Sequence, residues 1–390
     1  MVAIAQSTDR YLADVRRVAA GPARDAAGEV DRDARFPIEA VDALRDARAL
    51  SGAVPQSYGG QGLSLQTIAM CCYELGRCCA ASAMTYAMHQ IQVVTITRHL
   101  EGSLWFEDYL RRVAAEQRLI ASATSEIGTG GDMSRSVAAV EQGAGGLFAF
   151  EKKAPTLSYG AHADDYLTTL RRDPASEPGD QVLVLSTGDQ TQLEQTGEWD
   201  TLGMRGTCSP GFVVRANFPG EQILPTAFAR AMSESMVPVS HILWSHVWLG
   251  IASDAFERGR AFVRESARRA PGEPLPAAQR LASVMAELAL LRAEVSRGLA
   301  DYVAVADGTR ESLSTMASVL RFNNLKLAAS EQAVRVCRGA LDVVGVAGYR
   351  NNSPFSVGRH LRDALSAPIM VANERMLATD AQLLLIAKEV

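Results

Sequence analysis

The sequence predicts a mainly α-helical protein with a central β-domain, on three observations. Helical apolar spacing runs from Ser7 to about Ala114, β-rich runs bounded by turn residues occupy the stretch from Leu119 to Leu224, and helical spacing returns beyond Thr226. These shifts divide the chain into an N-terminal helical domain (1–118), a middle β-barrel-like domain (119–226) and a C-terminal four-helix bundle (227–390).

Each part has its own signature. In the first, the helical pattern breaks where turn residues cluster at Pro55-Gln56-Ser57-Tyr58-Gly59-Gly60-Gln61-Gly62. The adjacent pairs Cys71-Cys72 and Cys78-Cys79 lie near Met70, Tyr73 and Leu75 and form no C-x-x-C motif, so they are expected as small apolar fillers of a helix. In the second part, Asp180–Ser186 and Phe212–Arg215 are short β-rich runs, and Asp173–Gly179 is a turn-rich loop. In the third, Leu281, Val284, Leu288, Leu291 and Val295 lay one apolar stripe along a long helix. Arg268–Pro276 holds three prolines in six residues and must be a linker, because proline cannot continue a helix.

The bulk composition excludes several functions. With 390 residues, 47% of them apolar, the chain can bury large cores. Its 39 basic and 44 acidic residues give a net charge of −5, and no run of five lysines or arginines is present to track a phosphate backbone, so nucleic acid is not an expected partner. The N-terminus acquires charges before any apolar run of signal-peptide length, which predicts a cytoplasmic protein. The most apolar long stretch, Val237–Ala255, carries Ser240, His241, Ser245, His246 and Asp254, residues costly at bilayer depth. It is expected as a buried helix rather than a membrane span.

Four groups of residues carry a family resemblance. Phe36-Pro37, the 54–62 turn and Tyr73-Glu74-Leu75-Gly76-Arg77 form the first. Ser125-Glu126-Ile127-Gly128-Thr129-Gly130-Gly131-Asp132 is similar to T-E-P-G-x-G-S-D, and Leu202-Gly203-Met204-Arg205-Gly206-Thr207 to L-G-x-R-G/A-S. Gly345-x-x-Gly348-Tyr349, Ser353-Pro354 and Arg362-Asp363 complete the series. In this order and spacing, over nearly the whole chain, they resemble the acyl-CoA dehydrogenase superfamily. The resemblance implies that family's fold and a flavin cofactor, FAD or alternatively FMN. It implies Ser125 on the flavin pyrimidine edge, with a serine satisfying its own turn as the structural alternative. Gly130 and Gly131 would let backbone N–H groups approach a flat heterocycle. Thr156-Leu157-Ser158 stands where the family has W-I-T/S, so the hydroxyl is kept and the indole is lost.

The family's chemistry needs a carboxylate beside the substrate α-carbon while hydride moves to flavin N5. Counting from Arg362-Asp363, the usual glutamate position falls on Val371; the second family location falls near Ser240 and His241. The related flavin-dependent monooxygenase branch often has H-x-A-N here, and this chain reads Met370-Val371-Ala372-Asn373. Candidate replacements for the base are His241, whose imidazole titrates near neutrality, and Glu374, one helical turn beyond Val371. His246 lies five residues from His241, off the spacing of a helical ligand pair, so no metal is expected. The first expectation is an acyl-CoA dehydrogenase-like oxidoreductase acting on an acyl thioester, possible substrates including acyl-CoA. The alternatives are a two-component reduced-flavin monooxygenase or N-oxygenase, and a catalytically silent member. The resemblance further implies a homodimer or homotetramer, and a flavin reductase or electron acceptor as partner.

Overall fold

The computed structural model describes residues 2–306 and 310–387. Six helices come first: α1 (Val2–Val18), α2 (Arg24–Arg32), α3 (Ile38–Asp46), α4 (Leu65–Gly76), α5 (Ala80–His99) and α6 (Leu104–Glu116). Ser64 and Ser103 start α4 and α6 by accepting from Thr67 and Phe106 amides, relieving unpaired first-turn N–H groups. α5 has no polar face. It is buried almost all round because α4, the long helix Val237–Arg269 and the strand Ile120–Ala123 enclose it, and its polar residues His89, Gln90, Gln92 and Thr95 are buried with it.

Seven strands follow: β1 (Ile120–Ala123), β2 (Glu141–Gln142), β3 (Phe148–Ala154), β4 (Asp165–Arg171), β5 (Gln181–Thr187), β6 (Thr191–Gln195) and β7 (Phe212–Phe218). They form two sheets, β1-β4-β5 with β1 parallel to β4, and the antiparallel β2-β3-β7-β6. In β3, Phe150, Lys152 and Ala154 face inward and Glu151 and Lys153 outward, the strand period of two. The inward Lys152 breaks the pattern expected of a core, and its compensation lies at the site described below.

The remaining helices are α7 (Phe228–Ala231), α8 (Val237–Arg269), α9 (Pro276–Ala306), α10 (Met316–Val344), α11 (Val346–Tyr349), α12 (Gly358–Ala364) and α13 (Asn373–Leu384). α8, α9 and α10 pack side by side, with α13 laid on α10. The proline-rich linker joins α8 to α9, and the stripe Val284, Leu288, Leu291, Val295 is buried as its spacing requires. Val237–Ala255 is the buried first half of α8, and among the described residues no helix is long and apolar enough to cross a membrane.

α4 and α8 cross at two glycines. A Cβ on Gly76 would meet the Val247 carbonyl oxygen at 2.6 Å, and one on Gly250 would meet the Tyr73 carbonyl at 2.5 Å, so the helices can approach this closely only without side chains there. Cys71 and Cys72 are buried within α4, as expected, whereas Cys78 and Cys79 lie in the turn that follows it.

The Arg362-Asp363 pair fastens the three parts together. Arg362 forms an ion pair with Asp31 on α2, and the buried Asp363 carboxylate accepts the Met204 amide at 2.7 Å. Burial pushes the Asp363 carboxyl up to about 6.

Candidate functional site

A cleft of about 670 Å³ opens where the three parts meet. Met84, Met88, Ile91 and Gln92 of α5 and Ser240 and Trp244 of α8 form one wall. Ser125, Thr129, Gly131 and Asp132 of the glycine-rich turn, with Thr156 and Ser158, form another. The segment from Leu365 to Arg375 closes the third side.

The glycine-rich turn is held from beneath. Buried Glu126 accepts from Ser136 Oγ (2.7 Å) and the Ala138 amide (2.6 Å) and stands 3.4 Å from Lys152 Nζ. Lys152 donates to the Thr169 carbonyl (2.6 Å) and hydroxyl (2.8 Å), and burial lowers its ammonium to about 8. This paired lysine answers the break in the β3 pattern: a buried charge is tolerated where every donor finds an acceptor. Gly128, Gly130 and Gly131 all take positive φ, from +63° to +98°.

The proposed cofactor residues do not all meet. Ser125, Gly131, Thr156 and Ser158 line the cleft; Gly130 does not. The Gly131 amide is satisfied by Thr129 Oγ1 at 3.3 Å, and the carbonyls of Gly130 and Gly131 both accept from the Arg375 guanidinium. Arg375 therefore occupies the space against Gly131 that a side chain would fill. Ser125 Oγ donates to the Thr156 carbonyl at 2.7 Å, a bond across the cleft wall to a residue 31 positions on rather than to its own turn, and keeps only lone pairs for a ligand. Ser158 accepts from Ser209 Oγ at 2.9 Å and keeps its own proton.

Neither candidate base reaches the cleft. On α8 each residue turns about 100° from the last, so where Ser240 faces the cavity His241 faces α10. Its Nδ1–H donates to the Phe322 carbonyl at 3.0 Å, and burial drives its pKa down to about 3, too weak a base for proton abstraction near neutrality. Glu374 is exposed and off the cavity wall. α13 begins only at Asn373, so residues 371 and 374 do not share a helical face.

Val371 itself lines the cleft with φ +49°, a left-handed conformation that β-branched residues seldom adopt. Lys326 holds it there, donating to the Val371 carbonyl (3.0 Å) and to Asn373 Oδ1 (2.6 Å). Burial brings Lys326 down to about 8. Among the described residues the one carboxylate lining the cleft is Asp132, which accepts from Ser134 N (2.9 Å) and Oγ (2.6 Å) and is held below the usual carboxylate range by those bonds. The Trp244 indole N–H is buried at the cavity wall without a hydrogen-bond partner.

Residues 6–117 match the acyl-CoA dehydrogenase N-terminal domain and residues 232–379 its C-terminal domain. The chain belongs to the acyl-CoA dehydrogenase superfamily. It is 28% identical over 360 residues to cyclohex-1-ene-1-carbonyl-CoA dehydrogenase of Geobacter metallireducens, covering 90% of each chain. It is 26% identical over 359 residues to the amino sugar nitrososynthase DnmZ of Streptomyces peucetius, covering 87% of this chain and 84% of that one. Among solved structures it is similar in fold to FMN-bound TdsC from Paenibacillus sp. A11-2, with a TM-score of 0.83 at 18% identity over 96% of this chain and 97% of that one.

Sequence reasoning missed Trp244, Arg375, Lys326 and Lys152. Lys152 alone left a trace, as a lysine at an inward strand position. The others depend on contacts between segments far apart in sequence.

Proposed function

We propose that this protein is a flavin-dependent oxygenase that works with reduced flavin supplied by a separate reductase. The observation that supports this reading most is the lining of the cleft. Val371, Met370 and Ser240 stand on its walls, and Asp132, the lining carboxylate, is tied to Ser134 and poorly basic. Oxidising an acyl thioester requires a free carboxylate at the α-carbon. When bound, reduced flavin supplies the activation of dioxygen, and such chemistry asks the protein chiefly for enclosure.

The residues fit a flavin ring. Ser125 offers an acceptor and Ser158 a donor, matching the mixed edge of the flavin pyrimidine. The buried Trp244 N–H is a further donor in need of a partner. Met84, Met88 and Ile91 exclude water from the side on which a small-molecule substrate would lie. The cavity volume suits a ring system and a small substrate together. The protein would act as a homodimer or homotetramer. α9 supports this, leaving Met285, Leu290 and Val303 exposed.

A second reading, acyl-CoA dehydrogenation, has the 28% identity to a dehydrogenase in its favour. An anaerobic titration separates the two. Short-chain acyl-CoA is expected to leave bound oxidised flavin coloured, and reduced FMN or FAD is expected to bind and then consume oxygen on aeration. Bleaching by acyl-CoA would overturn the oxygenase reading, and failure to bind any flavin would overturn both.

A further inference from the structure

A second cavity, of about 800 Å³, shares Thr201, Leu202 and Arg362 with the cleft and is otherwise separate from it. Its other walls come from α2, α8, α12 and the loop between α11 and α12. Where the cleft is apolar, this cavity is cationic: Arg24, Arg32, Arg205, Arg258, Arg359 and Arg362 line it, against Asp25 and Asp31.

Four of these arginines are committed to carboxylates. Arg32 pairs with Asp33 (2.9 Å), Arg205 with Asp200 (2.9 Å), Arg258 with Asp254 (2.9 Å) and Arg362 with Asp31. The other two converge on one residue. Arg24 Nη2 donates to Cys78 Sγ at 3.1 Å, and Arg359 Nη2 donates to the Cys78 carbonyl at 3.1 Å. Neither has a carboxylate ion-pair partner among the described residues. Cys78 does not supply the missing charge, because burial holds its thiol above the ordinary value and keeps it protonated. Two permanent cations thus converge on Cys78 with neutral acceptors in direct contact, while the nearby carboxylates Asp25, Asp254 and Asp363 act on them from beyond ion-pair distance.

We propose that this cavity binds a phosphate ester or pyrophosphate of nucleotide size, with its anionic oxygens held between Arg24 and Arg359. The guanidinium fork matches phosphate oxygens two at a time. The volume lies in the range that encloses an organic ligand and exceeds what a lone phosphate fills. The four paired arginines keep the walls in place, and the two guanidiniums without an ion-pair partner draw an anion inward. The site does not depend on whether a flavin occupies the cleft.

Isothermal titration of the full-length protein with inorganic pyrophosphate tests it, with flavin affinity measured on the same preparations. Saturable binding at one site is expected, weakened at least about tenfold in both Arg24→Gln and Arg359→Gln, with flavin affinity unchanged. Arg24 is exposed on α2, so its variant folds even if Arg359→Gln does not. Arg24→Lys, which keeps the charge and loses the fork, is expected to bind with intermediate affinity. The absence of saturable heat in the unmodified protein, or equal binding by protein and variants, overturns the proposal.

Discussion

Acid should unfold this protein through its buried imidazoles, and His89 shows why. Its Nε2–H donates to the Leu50 carbonyl at 2.7 Å, while Nδ1 accepts the Ile120 amide at 3.1 Å. The ring is fully buried between α5 and β1, and both nitrogens are in use. Protonating Nδ1 would set N–H against N–H in a fully buried region. Burial accordingly lowers this histidine from 6.5 to about 4. A depressed folded pKa means that the unfolded chain takes the proton first, so stability is full above pH 6.5 and drains as the pH falls toward about 4. One pKa unit corresponds to about 1.4 kcal/mol, so His89 alone removes about 2 kcal/mol by pH 5 and about 3 kcal/mol by pH 4. His241, lowered to about 3, and His246, lowered to about 4, act in the same direction. Together the three remove about 6 kcal/mol by pH 5, a large share of the roughly 5–15 kcal/mol that holds a domain folded. Urea denaturation followed by circular dichroism from about pH 7.5 to about pH 5 measures this loss. His89→Gln supplies a donor and an acceptor without a titrating group, so its stability should fall by about 2 kcal/mol less over that range. Parallel pH curves for the two proteins would refute the reasoning.

Three further outcomes follow from other contacts. Ser158→Ala removes a free hydroxyl donor and should weaken flavin binding about fivefold, worth about 1 kcal/mol, whereas Ser125→Ala, whose proton already serves Thr156, should weaken it less; fluorescence titration with FMN and FAD ranks them. Lys326→Met keeps the buried volume but strands the Val371 carbonyl and Asn373 Oδ1, and is expected to cost about 2 kcal/mol in chemical denaturation; an unchanged midpoint denies the lysine its clamping role. Gly250→Ala drives a methyl into the Tyr73 carbonyl and should destabilise by about 1–3 kcal/mol, read as a lowered melting temperature, while Gly197→Ala, whose methyl meets open space outside the left-handed region, should cost less.

Long periodic elements were legible in the sequence because their signals are local. The stripe on α9, the prolines of 268–276 and the β-run at 180–186 each state their structure within one window of residues. The serines and threonine of the cleft were legible through the resemblance, and Ser125, Thr156 and Ser158 do meet on one wall. His241 and Glu374 lie off the cleft for two reasons that sequence counting cannot capture: rotation about a helix axis decides which of two neighbours faces a cavity, and α13 starts too late to put Glu374 on the face of Val371. Ser240 and His241 differ by one residue and face different elements. Arg375 was invisible because it acts on carbonyls more than two hundred residues away.

The left-handed turn at Val371 limits what a single codon change can achieve. A side chain points where its backbone sends it, and this backbone is set from outside by the ammonium of Lys326 and the late start of the last helix. Glutamate installed at 371 would inherit a direction chosen for packing, together with about 1 kcal/mol of local strain. On the oxygenase reading proposed above, building proton abstraction at this position would mean relaying the whole approach to α13. The direction in which residue 371 points is written into the path of the chain as well as into its spelling.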